Sequence, residues 1–273
     1  MNPFKNAEIS RSDALIVTLA AAVVVYLIWN VPALAFIAYP LRLFVTYVHE
    51  AGHSLMALLS GGEVEGFRVF SDGSGIAATA GGSRLLILPA GYLGAAFFGA
   101  ALFYLVNTTH RARVIAVVIG ICLSLSSLLY TFPGDGQPLA FIIGLLGGML
   151  MIALGWRGST TLALLVLNVL AILTALHGVL DLVNLINHAD ITMPTGDGNA
   201  ALRNDAYAFA EAAGGLIPAS IWALLWAGMA LLMVGAAVYF SLLRPMLRGA
   251  GKTLTAQTGN LTSLYPGKRK TEE

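Results

Sequence analysis

The sequence predicts an all-α polytopic membrane protein, with six or seven transmembrane helices and a short β-hairpin after the second. Three observations predict it. Of 273 residues, 58% are hydrophobic and only 11% are charged, with a mean hydropathy of +0.80. Soluble domains carry about 25% charged residues. The apolar residues fall into runs of about 20, the length that crosses a bilayer. Between the second and third runs, apolar and polar residues alternate on either side of Asp72-Gly73, which is a hairpin signal.

The elements follow in order. Residues 1–12 form an N-terminal tail, and residues 13–243 form one transmembrane domain. The first run, 13–37, ends before Tyr39-Pro40. It is long for a signal peptide and lacks a small-residue cleavage site. The second, 41–60, contains His49-Glu50-Ala51-Gly52-His53. Residues 61–83 form the expected hairpin, with Val64, Phe67, Val69 and Ile76 turned to its apolar side. Further runs cover 85–106, 113–132, 138–156 and 160–187. The run at 138–156 is glycine-rich and bounded by Gly134-Asp135-Gly136 and Arg157. Residues 188–215 are a polar loop ending in a short interfacial helix, from Asp205 to Glu211. The last run spans 216–243, where Trp222 and Trp226 suit an interfacial aromatic belt. Residues 244–273 are a polar tail without a packing signal. Arg111, Arg113, Arg157, Arg244, Arg248 and Lys252 mark one face, which the positive-inside rule leans towards the cytoplasm.

Composition excludes several functions. A net charge of +1 gives no reason to expect nucleic acid. Cys122 is the single cysteine, so an intrachain disulfide and a cysteine-rich metal site are both excluded. No internal repeat is visible, which weakens a metal or proton transporter built from duplicated halves.

The chemistry sits in the second run. Residues four apart share one face of a helix, so His49 and His53 can offer two imidazoles to one metal ion. Glu50 stands beside them as a general base; this H-E-x-x-H spacing is the zinc metallopeptidase pattern. Ionisable groups at membrane depth are costly, so such a cluster reads as functional. A third ligand is needed. Along the 160–187 run, Thr174, His177, Asp181 and Asn184, with His188 just past its end, recur every three or four residues, forming one polar stripe. Asp181 is the candidate ligand in that stripe, with His177 and Asn184 orienting ligands or contacting substrate. Asp135, in a Gly/Pro-bounded loop, is the alternative. His110 reads as a loop residue.

With these residues in hand, the chain resembles the site-2-protease-like intramembrane zinc metallopeptidases, in particular their small M-fifty-B-like branch. The resemblance rests on His49-Glu50-Ala51-Gly52-His53, the glycine-rich segment after it, and Leu88-Pro89-Ala90-Gly91-Tyr92-Leu93-Gly94. It extends to Asp181 with Asn184, Asp205-Ala206 with Phe209-Ala210-Glu211, and Pro218, Trp222 and Trp226, covering about 40–240. It implies one Zn2+ per chain, held by His49, His53 and Asp181, with Glu50 as catalytic base. It also implies hydrolysis of peptide bonds in a membrane-protein or peptide substrate, within the lipid bilayer of a bacterial cell. Asp181 is followed by Leu182 rather than glycine, which keeps Asp135-Gly136 open as the ligand loop. No polar stretch is long enough for a separate substrate-clamping domain. A non-proteolytic relative that binds membrane proteins, or a transporter, remains the other reading. The retained Glu50 argues against both.

Overall fold

The computed structural model describes residues 11–109, 111–131, 138–188, 193–194, 201–202 and 204–247. Among these residues, eight helices form the body: α1 (Arg11–Asn30), α2 (Ala35–Leu59), α3 (Arg84–Thr109), α4 (Ala112–Tyr130), α5 (Leu139–Arg157), α6 (Thr160–His188), α7 (Asp205–Ala212) and α8 (Ala219–Val238). A π-helical turn, Tyr239–Leu243, continues α8. Between α2 and α3 lies an antiparallel hairpin, β1 (Glu63–Val69) and β2 (Gly75–Ala80). A two-residue pairing, β3 (Met193–Pro194) with β4 (Ala201–Leu202), precedes α7.

Among the described residues, six helices are long and apolar enough to cross a membrane: α1, α3, α4, α5, α6 and α8 with its extension. The chain is an integral membrane protein. α2 has the length for a seventh crossing, at 25 residues. It is not among the six, and Arg42, His49, Glu50 and His53 account for its lower hydropathy.

Small residues set the helix spacing, as expected where lipid supplies no hydrophobic drive between helices. A side chain on Gly99 of α3 would meet the backbone of Ala171 and Ala175 on α6, and one on Gly120 of α4 would meet the carbonyl of Gly148 on α5. Polar residues add hydrogen bonds across the seams. The Thr18 hydroxyl (α1) donates to Asn107 Oδ1 (α3) at 2.8 Å, and Asn107 Nδ2 donates to Asn168 Oδ1 (α6) at 2.8 Å. Arg113, opening α4, donates to the carbonyls of Gly155 and Trp156 at the end of α5.

The hairpin runs back along α2 from its root to its tip. At the root, the Ser83 amide donates to Ser60 Oγ at 3.1 Å. At the tip, three α2 side chains donate to successive carbonyls: Tyr39 to Ser71 (2.9 Å), Arg42 to Asp72 (3.2 Å) and Thr46 to Gly73 (2.8 Å). Those residues recur every three or four positions, so one face of α2 carries the whole hairpin. Gly73 takes a φ of +94°, which a non-glycine residue adopts only at a cost. Ser74 donates twice to Asp72 Oδ1, holding that carboxyl below the usual carboxylate range. Phe67 and Val69 are buried, while Val64 and Ile76 are half-buried. Val64 and Phe67 can share a face because the register shifts between Val64 and Gly66, a bulge that breaks strict alternation.

Candidate metal centre

The site is assembled by α2, α3 and α7. His49 and His53 lie one turn apart on α2, and their Nε2 atoms are 3.0 Å from each other. Asp205, the first residue of α7, brings Oδ2 to 3.5 Å from His49 Nε2 and 3.3 Å from His53 Nε2. These three side chains are a group that could hold a metal ion. Ligands about 2.1 Å from a tetrahedral zinc would be about 3.4 Å apart. The observed 3.0, 3.3 and 3.5 Å fit that edge length. His53 Nδ1 lies 2.7 Å from the Ile87 carbonyl on α3. An Nδ1–H donating there leaves Nε2 as the ring atom turned towards His49 and Asp205.

Three features hold this geometry. The first is the approach of α3 to α2. A side chain on Gly52 would overlap the Ala90 carbonyl, and one on Gly91 would overlap Nε2 of both histidines. Glycine at 91 is thus a requirement of space. The second is an aromatic wall. The Tyr92 ring stands edge-on to His49 at 4.5 Å between centroids, and Trp226 stacks behind Tyr92 at 6.4 Å. Phe209 of α7 packs on Trp226 at 5.2 Å and on Trp222 at 4.7 Å. Trp226 is 4% exposed, so it is a packing anchor for α7 rather than a member of an interfacial belt. The third is the start of α7. Asn204 caps it, its side chain accepting from the Tyr207 amide at 2.9 Å, which fixes the neighbouring Asp205. Burial alone would raise the Asp205 carboxyl, but the charge of His53 and the bonds from both rings outweigh it. They hold the group well below the usual carboxylate range.

Glu50 adjoins the group from the hairpin side. It is 5% exposed, and a side chain on Gly75 of β2 would come within 2.5 Å of its Oε1. The hairpin therefore covers Glu50 through a glycine.

The chain matches the Peptidase M50B-like family over residues 17–237. It belongs to that family. No curated protein and no solved structure matches it. The matched stretch runs from α1 to α8 and includes every residue of the M50B-like site just described.

The structure brings His49 and His53 together as the sequence predicts, with Glu50 alongside. The third member of the group is Asp205, not Asp181. Asp181 is exposed on α6, within electrostatic range of His49 and His177, and gives no atom to the ligand group. The polar stripe of α6 divides. Thr174 is fully buried, His177 lies half-buried against the ring of Trp29 at 4.6 Å, and Asn184 is exposed. The reason is the length of α1, which ends at Asn30, one residue past Trp29. Beyond that level α1 no longer covers α6. His177 thus serves the α1–α6 seam and shows no contact with the ligand group. Asp135, His110 and the side chain of His188 lie outside the described residues.

Asp205, although part of the segment that carries the resemblance, is not read as a ligand candidate, because a carboxylate in a polar loop is cheap to solvate. Asp181, inside an apolar run, carries the signal of cost. The usable signal for Asp205 was its place directly after a helix-capping asparagine, beside an apolar Phe209-Ala210 pair.

Proposed function

We propose that this chain is a zinc-dependent intramembrane endopeptidase, with His49, His53 and Asp205 as the metal ligands and Glu50 as the general base. The observation that carries the reading is the meeting of Asp205 with the two helix-borne imidazoles at zinc-ligand spacing, beside a buried glutamate, in a chain of peptidase family. Two imidazoles and one carboxylate are a catalytic zinc donor set that leaves a fourth position open. A zinc ion held there would acidify a bound water and polarise a carbonyl.

The remaining steps belong to the protein. Glu50 accepts a proton from the attacking water and delivers it to the leaving amine. A carboxylate with 5% exposure has few competing waters, which favours that transfer. The substrate is a membrane-embedded segment, because the site lies among membrane-crossing helices. Such a segment must unwind first, since its amides are bonded internally. Each strand of a two-stranded sheet has one edge without a sheet partner. The edge beside Glu50 can pair with an unwound chain.

The test is Glu50→Gln in purified, zinc-loaded protein, read by zinc content and cleavage of a reconstituted single-span peptide. Zinc should stay near one per chain while cleavage falls to background, because an amide cannot accept the proton. A Glu50→Gln protein that cleaves at the wild-type rate contradicts the mechanism.

A further inference from the structure

Glu50, Asp181 and Asp205 all lie within electrostatic range of Tyr92. The nearby α2 hydroxyls are already committed: Ser54 donates to the Glu50 carbonyl at 2.9 Å and Thr46 to the Gly73 carbonyl at 2.8 Å. Tyr92 differs. It follows Gly91, whose missing side chain leaves room for both imidazoles. Its ring stands at 84° to His49, 4.5 Å away. The residue is half-buried, and its hydroxyl makes no hydrogen bond among the described residues.

When water adds to a peptide carbonyl, the π pair moves onto the carbonyl oxygen, which becomes an oxyanion. A positioned donor stabilises that charge more than it stabilises the neutral carbonyl. A phenol, with an ordinary pKa of about 10, is a donor at neutral pH.

We propose that Tyr92 is a catalytic residue whose hydroxyl donates a hydrogen bond to the scissile carbonyl oxygen as the tetrahedral intermediate forms. No proton is transferred at this step. The oxyanion keeps its charge until the C–N bond breaks, the carbonyl re-forms and the amine leaves with the proton from Glu50. This rests on the peptidase reading above. It assigns a task to the hydroxyl that the ring's packing does not need.

Tyr92→Phe separates the two, because it keeps the ring on His49 and Trp226 and removes only the hydroxyl. Wild type, Tyr92→Phe and Glu50→Gln should be compared for zinc content, for kcat and KM on the reconstituted peptide, and for Kd of a phosphinic peptide. That probe carries a tetrahedral anionic centre and is not cleaved. Tyr92→Phe should keep its zinc and its KM, lose about 10²–10³ in kcat, and bind the phosphinic peptide about 10–100-fold more weakly. Unchanged kcat and unchanged Kd in Tyr92→Phe overturn the inference. So does a wild type that fails to bind the phosphinic peptide. Equal cleavage by wild type and Glu50→Gln overturns the peptidase reading instead, and the phosphinate Kd still reports on Tyr92.

Discussion

Gly91 is the residue that borders both imidazoles directly. Its missing side chain leaves the space that the two Nε2 atoms occupy, so even a methyl group there must displace an imidazole. Gly91→Ala should therefore strip zinc and activity together, measured as metal content after gel filtration. Gly94, one turn on, is the control: a side chain there meets the Gly52 Cα at 3.4 Å, an ordinary contact. Gly94→Ala should keep its zinc. Equal zinc in the two variants would mean that α3 can move away from α2. His49, Glu50 and His53 were legible in the sequence because five consecutive residues on one helix fix their own geometry. Asp205 was not, because its partners lie about 150 residues away in sequence, and only the packing of α7 on Trp226 brings it back.

At the scale of elements, the hairpin was legible almost residue for residue. An Asp-Gly turn between alternating segments is a local signal, and local signals survive into the fold. Its bulge was not, since which residue is extra depends on what β1 packs against. Nor was its position along α2 legible, although Tyr39, Arg42 and Thr46 share one face of that helix. Those contacts lay β2 on Glu50. Gly75→Val puts atoms where the Glu50 carboxylate stands. It should cut cleavage by at least tenfold while zinc content stays near one per chain, because neither His49 nor His53 touches that position. Unchanged cleavage would show that β2 is not seated on the glutamate during turnover. The polar stripe of α6 is the opposite case. Its residues recur every three or four positions, but periodicity says only that they share a face. Which neighbour covers that face is set by where α1 ends.

For the whole molecule, apolar runs at bilayer length gave the helices and their order, since each run must satisfy its own backbone inside lipid. The arrangement of the helices depends instead on close contacts at small residues such as Gly99 and Gly120, which no single run reveals. The candidate ligand group is a property of that arrangement: α2 supplies His49 and His53, α3 makes room for them, and α8 holds α7 so that Asp205 arrives. The same scaffold leaves Asp181 nearby but outside the group. Zinc stoichiometry in Asp205→Ala and Asp181→Ala, purified beside wild type and His53→Ala, tests this most directly. Wild type and Asp181→Ala should hold about one zinc per chain, while Asp205→Ala and His53→Ala lose it. An Asp205→Ala protein that keeps its zinc while Asp181→Ala loses it would contradict the account.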